Sequence, residues 1–347
     1  MQDTDRPAWQ VHLLKVWQHR TLPAFLLWPL SLLNLFAVRL RQGLYMSGLL
    51  STYRVRVPVV VVGNVVVGGS GKTPVVIALV RHLRTRGWRP GVISRGYGRL
   101  GTACTEVKTD CAVQDVGDEP ALIHRLTQAP VYVAKHRIDA ARALLHAHPE
   151  VNILVSDDGL QHLSLGRDLD ICVFDDRGAG NGFLLPAGPL REPWPRAVDL
   201  ILHTGRQPAF KGYRGHRTLA NYGVRANGER VALRALTGPG QPRLFALAAI
   251  AQPELFFDML RQQCVAIDQT LALPDHFNFE DWTWPAAASS QIVCTEKDAL
   301  KVWPIYPDAL AVPLNFELDA SFLSTFDKLL ADLPHSSLSS GHGNTST

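Results

Sequence analysis

The sequence predicts an α/β protein: a doubly wound parallel sheet, followed by a second, smaller α/β domain and preceded by an N-terminal hydrophobic helix. Short apolar runs of strand length alternate with stretches of helix length. Nearly all these runs are continuously hydrophobic, as strands are when helices cover both faces of a parallel sheet. A length of 347 residues, 46% of them hydrophobic, is enough for two domains with large cores.

The predicted elements follow the chain in order. Residues 56–205 form the first sheet, with strands in VPVVVVGN, PGVISRG, APVYVA, VNILVSDD, LDICVFDD and VDLILHT and a helix in PVVIALVRHLRTRG. Residues 206–216 are a connector, because they lack a helical period. Residues 217–333 form the second domain, with strands in RLFALAAI, SQIVCTE and DALAVPLNF and a helix in PELFFDMLRQQC. The last predicted helix, DASFLSTFDKLLADL, belongs to this range, and its packing on either domain is left open. The Ser/Gly/Thr-rich tail 334–347 is predicted to be disordered.

Residues 1–55 are predicted to associate with a membrane through a helix. An uncharged, mostly apolar run spans residues 21–38, and Arg39 and Arg41 follow it. The run is short for a confident span, which takes about 20 apolar residues. Two interpretations remain open: a helix lying in the interface of an anionic leaflet, and a helix packed on the protein's own core.

Charge and cysteine content exclude two classes of protein. The net charge of +4 is too small to predict a nucleic-acid surface, and its excess lies in residues 1–58, which hold seven Lys and Arg against two Asp. The five cysteines form no C-x-x-C motif and have no zinc-ligand spacing. They predict reduced thiols in a cytosolic protein and not a secreted, disulfide-linked domain.

The sharpest motif follows the first predicted strand and reads GNVVVGGSGKTP over residues 63–74. It is typical of a P-loop, in which backbone N–H groups and the start of the next helix bind phosphates. Lys72 is expected to reach the β- and γ-phosphates, and the Thr73 hydroxyl to hold Mg²⁺. Position 66 departs from the pattern, with Val where Gly is usual. The predicted nucleotide-binding residues are Val66, Val67, Gly68, Gly69, Ser70, Gly71, Lys72 and Thr73.

Acids at the end of a later strand predict the metal site. Asp157 and Asp158 follow the run VNILVS, and ligands of parallel sheets bind at the carboxyl ends of strands. Asp157 is the better candidate for Mg²⁺, although the sequence does not separate the two. The N-K-x-D motif of GTP-binding proteins is missing, since the nearest string is TEKD over residues 295–298. We therefore expect ATP and Mg²⁺ as cofactors.

Seven motifs occur in order over about residues 25–315: GNVVVGGSGKTP (63–74), SRGYG (94–98), GDEP (117–120), DDGLQH (157–162), LLPAGPLREP (184–193), PDHF (274–277) and TEKDALK (295–301). Together they resemble the tetraacyldisaccharide 4'-kinase family, the lipid A 4'-kinases of Gram-negative bacteria. The resemblance implies transfer of the ATP γ-phosphate to the 4'-hydroxyl of a tetraacyl glucosamine disaccharide 1-phosphate. It places this amphiphilic glycolipid, and the protein, at the cytoplasmic leaflet of the inner membrane.

The resemblance also implies a catalytic pair. It matches Asp118 with His276 of the second domain as an acid/base dyad, so that closure of the domains over ATP would complete the site. Without the resemblance, Asp118 has the alternative of a helix N-cap or turn acid before Pro120, and a lone Asp-His-Phe such as residues 275–277 is usually a surface turn. Phe277 stands where many relatives have a second His, so any role of that second ring is absent or filled elsewhere.

Further residues are candidates for metal, substrate or nucleotide contacts, and each also has a purely structural interpretation. Glu119 is either a metal partner or solvated. Four residues are candidate contacts for the 1-phosphate of the substrate, or else ordinary loop residues: Arg95, Tyr97, Arg137 and Arg191. Gln161 and His162 either position groups near the metal or start a helix. Lys297 and Asp298 either reach the nucleotide or form a helix cap.

Two rival functions remain from the sequence alone. One is a P-loop GTPase or ATPase switch that acts on a partner protein, and the other is a membrane-recruited nucleotide-binding protein without chemistry. Acceptor-independent hydrolysis would indicate the first, and unaltered ATP after incubation with acceptor the second. No nucleic-acid partner and no obligate protein partner is predicted.

Overall fold

The computed structural model describes residues 13, 15–236, 238, 241–263, 265–279, 282–283 and 290–333. The predicted tail 334–347 and Cys264 lie outside these residues, and the four described cysteines are free thiols.

The strands are β1 Val59–Gly63, β2 Pro90–Ser94, β3 Thr105–Glu106, β4 Val131–Val133, β5 Ile153–Asp157, β6 Leu169–Phe174, β7 Leu200–His203, β8 Tyr213–Leu219, β9 Tyr222–Val224, β10 Arg230–Ala232, β11 Arg243–Ala248, β12 Gln269–Ala272, β13 Ser290–Thr295, β14 Leu310–Val312 and β15 Leu314–Leu318. The α-helices are α1 Leu22–Met46, α2 Lys72–Thr85, α3 Val113–Val116, α4 Asp118–Thr127, α5 Arg137–Ala147, α6 Pro253–Gln262, α7 Glu296–Val302 and α8 Ala320–Ala331, and a 3₁₀ turn covers Leu233–Leu236.

The larger sheet has nine strands in the order β15-β8-β7-β6-β1-β5-β2-β4-β3. Its central strand β1 pairs in parallel with β5 on one side and with β6 on the other. The carboxyl ends of these three strands therefore meet at one edge, where the loop after β1 and the acid Asp157 lie.

Alternate residues of β1 enter two separate cores, as a doubly wound sheet requires. Val60 and Val62 pack in one core, which α2 and α4 cover. Val59 and Val61 pack in the other core, which α5 covers. All five residues of β1 are buried, which explains the continuous apolar run. The predicted fold class is confirmed.

The second sheet has six strands in the order β10-β9-β14-β13-β11-β12. Its strands β11 to β14 are parallel, while β9 and β10 are antiparallel at one edge. Helix α6 covers one face with Phe256, Phe257 and Leu260, and α7 covers the other with Ala299 and Val302. This sheet is the predicted smaller α/β unit.

The division of the chain between the sheets differs from the prediction. Strand β8, which begins inside the predicted connector 206–216, pairs with β7 of the first sheet. The run DALAVPLNF is two strands, because β14 belongs to the second sheet and β15 returns to the first beside β8. Strand β8 alternates between buried and exposed residues, so it has no continuous apolar run to mark it. The final helix α8 packs in the first core through Phe322, Phe326 and Leu330.

Helix α1 is longer than the sequence predicts, and most of its residues are exposed. It has 25 residues, about 37 Å, because it continues past Arg39 and Arg41 to Met46. Ala24 and Ser31 are its buried residues, whereas Leu33 and Phe36 are 66% and 67% exposed. By length and composition it is the one described helix that could cross a membrane. This exposure contradicts the interpretation of a helix packed on the protein's own core.

Candidate active site

The P-loop motif lies between β1 and α2 and wraps tightly. Gly68 and Gly71 have φ angles of 93° and 76°, a region that favours glycine. A Cβ atom at Gly71 would also collide with the guanidinium of Arg217. The Asn64 side chain closes the loop by donating to the Val66 carbonyl over 2.7 Å.

Lys72 is the first residue of α2 and points toward the neighbouring strand β5. Its Nζ atom lies 3.2 Å from Asn64 Oδ1 and 3.5 Å from Asp158 Oδ1. The structure thus brings together the predicted phosphate lysine and one of the predicted metal acids. The ammonium is held at the mouth of the loop, where the predicted phosphates would lie.

The two acids after β5 have different surroundings. Asp157 is buried; its Oδ2 accepts a hydrogen bond from Ser94 over 3.0 Å, and its Oδ1 has no partner among the described residues. Burial, with the charges of Glu119 and Asp158, raises the pKa of Asp157 to about 7. Asp158 has a φ of 50° and pairs with Arg191 over 3.1 Å. Burial raises its pKa, but Lys72 and Arg191 outweigh burial and lower it.

These acids fit a divalent cation that also binds phosphate. The described residues contain no group of three His, Cys, Asp or Glu side chains that would hold a metal alone. Mg²⁺ usually takes one or two carboxylates and completes its shell with phosphate oxygens and water. The unpaired Oδ1 of Asp157 is the acceptor that such an ion would satisfy, and the structure thus favours Asp157 over Asp158 as the ligand.

Asp118 and His276 meet across the cleft between the two sheets, as the family resemblance implies. His276 Nδ1 lies 3.2 Å from Asp118 Oδ2, and Lys301 Nζ donates to the same oxygen over 2.8 Å. His276 has a φ of 63°, a strained value for a residue with a side chain. The Tyr97 ring lies 5.3 Å from the His276 ring.

Asp118 lies at the start of a helix but does not cap it. It is the first residue of α4, follows Gly117, and forms no side-chain cap. Burial by itself raises the pKa of its carboxyl. The hydrogen bond with His276 and the positive charges of Lys301 and Lys297 outweigh burial and lower this pKa from 3.8 to about 2. Asp118 is therefore an anion at neutral pH.

Lys301→Met tests how much the pair with Asp118 stabilises the fold. Both side chains are little exposed, at 12% and 11%, so losing the cation is expected to lower the free energy of unfolding at pH 7 by about 3 kcal/mol. Because folding depresses the pKa of Asp118, the pair stabilises the protein above about pH 4 and the effect disappears as the pH falls toward 2. Denaturant titrations in detergent should therefore show a smaller difference at pH 3. The exposed Lys108→Met is the control, and a pH-independent difference would contradict this account.

The segment TEKDALK forms the start of α7 and contains a helix cap. The N–H group of Asp298 donates to Thr295 Oγ1, and the buried Asp298 carboxylate accepts from the Ala249 N–H over 3.0 Å. The cap interpretation therefore describes Asp298. Lys297 instead lies in the cleft, with Nζ 2.9 Å from Asp275 and 3.9 Å from Glu119.

The four candidate substrate contacts divide into two groups. Arg95 and Tyr97 are exposed, and Arg191 is partly exposed beside Asp158. Arg137 is buried and donates to the backbone carbonyls of Asp157 and Asp158 over 2.8 and 3.3 Å. Because Arg137 is only 1% exposed, the structure favours a role for it in fixing the acids over the predicted substrate contact. Gln161 likewise positions the site, since it donates to the Asn64 carbonyl over 3.0 Å.

Several residues of the site were not singled out from the sequence. Arg177 donates to the Gly69 carbonyl of the P-loop over 3.0 Å and pairs with Asp175, whose Oδ2 also accepts from Gln252 of the second domain. Arg217 donates a hydrogen bond to the Thr204 hydroxyl, which in turn donates to the Ser70 carbonyl of the P-loop. A signal for Asp175 was present: it ends the apolar run LDICVF in the same way that Asp157 ends its own.

A cleft lies between the P-loop and the second domain. One wall consists of the P-loop residues 69–74 with Glu119 and Leu122 of α4. The opposite wall carries Lys297 and an apolar group from the second domain: Ile250, Ala251, Leu255, Phe256, Met259 and Val312. One half of the cleft is thus suited to phosphates and the other half to an apolar ring.

Comparison with known proteins identifies the family. The model of the family "Tetraacyldisaccharide-1-P 4'-kinase" (LpxK) matches residues 23–331. The chain belongs to this kinase family. The tetraacyldisaccharide 4'-kinases of Acidovorax sp. strain JS42 and Polaromonas naphthalenivorans are 55% and 53% identical to it, over 94% and 96% of this chain and 95% and 99% of theirs.

A solved member of the kinase family has the same fold. The crystal structure of LpxK from Aquifex aeolicus, described as an "apo" form in complex with ATP, superposes with a TM-score of 0.74. It is 26% identical and covers 88% of this chain and 99% of its own. The resemblance drawn from the seven motifs is therefore confirmed.

Proposed function

We propose that this protein is the lipid kinase named by its family, which transfers the γ-phosphate of ATP to the 4'-hydroxyl of a tetraacyldisaccharide 1-phosphate. The observation that carries the proposal is the contact between Asp118 and His276, whose chain neighbours Glu119 and Asp275 line the cleft that holds the P-loop. A sugar hydroxyl is a poor nucleophile at neutral pH, so a kinase needs such a pair beside the phosphate site.

The nucleotide is ATP, bound with its phosphates on residues 66–73 and its base in the apolar half of the cleft. Three observations support this assignment: the P-loop geometry, the missing N-K-x-D motif, and the ATP in the Aquifex aeolicus structure. Lys72 reaches the β- and γ-phosphates once they replace its present partners, Asn64 and Asp158.

Thr73, Asp157, Asp158 and Glu119 are the residues that would hold Mg²⁺. When bound, the ion neutralises phosphate charge during transfer. The chain's own part is to present the unpaired Oδ1 of Asp157 and to keep Asp158 oriented through Arg191.

Asp118 and His276 act on the acceptor hydroxyl. Asp118 is ionised at neutral pH because its pKa is about 2. It either accepts the proton itself or holds His276 through Nδ1 so that the imidazole accepts it. The hydrogen bond from Lys301 fixes the carboxylate in both cases.

The acceptor is an amphiphilic glycolipid, so its site combines cations with a membrane-facing surface. Arg95, Tyr97 and Arg191 are the proposed contacts for its 1-phosphate. Helix α1, with its exposed apolar side chains, associates with the membrane. We assign the protein to the cytoplasmic side of the inner membrane, where ATP is available, and assign it no obligate protein partner.

Transfer of labelled γ-phosphate tests the proposal directly. The protein, ATP and Mg²⁺ are incubated with a detergent-dispersed tetraacyldisaccharide 1-phosphate and, separately, without acceptor. Label in the lipid supports the kinase. Label released as free phosphate in both samples would overturn it and indicate the rival P-loop switch, which the family membership does not favour.

His276→Ala separates chemistry from nucleotide binding. The imidazole is outside the P-loop, so ATP affinity is expected to stay unchanged while kcat falls by about 100-fold, the usual range for an acid/base group. Equilibrium binding of a fluorescent ATP analogue and the transfer assay are the two measurements. An equal loss of both would contradict the assignment. The exposed His146→Ala is the matched control.

A further inference from the structure

Helix α1 turns a polar patch toward the protein. Ser31 is 3% exposed, although Leu30, Leu32 and Leu33 around it are 52%, 42% and 66% exposed. A soluble amphipathic helix buries its apolar side, and this helix does the reverse. A helix that only attached the protein to a membrane would not need a buried hydroxyl at its middle.

The Ser31 hydroxyl both donates and accepts a hydrogen bond with the loop 183–191. It donates to the Leu184 carbonyl over 2.7 Å and accepts from the Ala187 N–H over 3.0 Å. One turn further, Asn34 Nδ2 donates to the Leu185 carbonyl over 3.0 Å. Because Ala187 is buried, its N–H group has no access to water if the hydroxyl is removed.

The same loop continues onto the P-loop. The Val67 N–H donates to the Pro189 carbonyl over 2.9 Å, and the Arg191 N–H donates to the Val65 carbonyl over 2.7 Å. The guanidinium of Arg191 lies 3.1 Å from Asp158. The backbone of one short loop therefore connects hydrogen bonds from α1 with hydrogen bonds to the first half of the P-loop and an ion pair with an acid of the site.

We infer that Ser31 is a positioning residue for phosphoryl transfer, acting through the loop 183–191 on the P-loop and on Arg191. The inference rests on the proposed function. The two sides of α1 have separate tasks: the exposed leucines associate with the membrane, and Ser31 with Asn34 sets the geometry of the nucleotide site. A shift of the loop by about 1 Å is enough to lower the rate of a positioned reaction strongly.

Ser31→Ala tests the inference, because it removes the hydroxyl and adds no polarity to the helix. We expect kcat for lipid phosphorylation to fall about tenfold. Binding to vesicles of phosphatidylethanolamine and phosphatidylglycerol should stay unchanged. Hydrogen exchange, followed by mass spectrometry, should become faster in peptides that contain Val67 or Arg191 and stay unchanged in α4. Ser31→Thr keeps the hydroxyl and should restore slow exchange in both peptides.

Leu33→Ser is the matched control on the exposed side of the same helix. It should weaken vesicle binding and leave exchange at Val67 and Arg191 as in the unmodified chain. The inference is overturned if Ser31→Ala keeps full kcat, loses vesicle binding, or leaves exchange at these peptides unchanged. If the unmodified protein phosphorylates no glycolipid, the proposed function fails separately, and the exchange data alone then decide whether Ser31 positions the P-loop.

Discussion

Asp118→Asn is expected to lower kcat by about 1000-fold and to leave ATP affinity within about twofold of the unmodified protein. Asn has nearly the same shape and still accepts a hydrogen bond from Lys301, but it neither takes a proton nor carries the negative charge that holds His276. The carboxylate is outside the P-loop, so ATP retains its own contacts. Steady-state phosphate transfer to the lipid measures kcat, and equilibrium nucleotide binding measures the ATP affinity.

The control for this variant is Asp115→Asn. Asp115 is an exposed carboxylate three residues earlier, and it should retain full kcat. Retention of more than about a tenth of the kcat by Asp118→Asn would remove the carboxylate from the proton-transfer step. His276 would then be the remaining candidate.

Lys72→Ala is expected to abolish transfer, with a loss of at least about 100-fold in kcat/KM. The ammonium is the one described cation within 4 Å of both the P-loop residue Asn64 and the acid Asp158, so no neighbouring lysine replaces it at the phosphates. The variant should still fold, because the helix position of Lys72 tolerates Ala. The labelled γ-phosphate assay measures the effect.

The exposed Lys211→Ala serves as the control for charge alone and should behave as the unmodified protein. A Lys72→Ala protein that transfers phosphate at more than a tenth of the normal rate would argue against phosphate contact by this lysine. A circular-dichroism melting curve close to that of the unmodified chain shows that the loss is not one of folding.

Features that depend on neighbouring residues in the chain were predictable. The P-loop needs glycine where φ is positive, and a lysine and a hydroxyl where the next helix starts. The residue types in 63–74 are therefore enough to predict the conformation of this loop. The acids at the end of β5 follow from the parallel sheet, because every strand of that type ends at the same edge. The continuous apolar runs predicted the buried central strands for the same reason.

Other features depend on pairing between distant parts of the chain. Strand β15 joins the first sheet because it pairs with the free edge of β8. No local pattern in DALAVPLNF indicates this pairing. The buried position of Arg137 follows from the packing of α5 on β2 and β4, which places its side chain against the Asp157 carbonyl. The uncharged run ends at Arg39, whereas helix α1 continues to Met46, so the run underestimates the length of the helix.

The sequence by itself determined the nucleotide site and, through its motifs, the kinase family. Those signals are local, since each requires only a few consecutive residues of the right type. Only the tertiary structure decided that Lys301 shares the oxygen of Asp118 that faces His276, and that Ser31 of α1 is linked to the P-loop. These contacts join residues more than 150 positions apart, and the free energy that selects them comes from the packing of the whole fold and not from any segment of it.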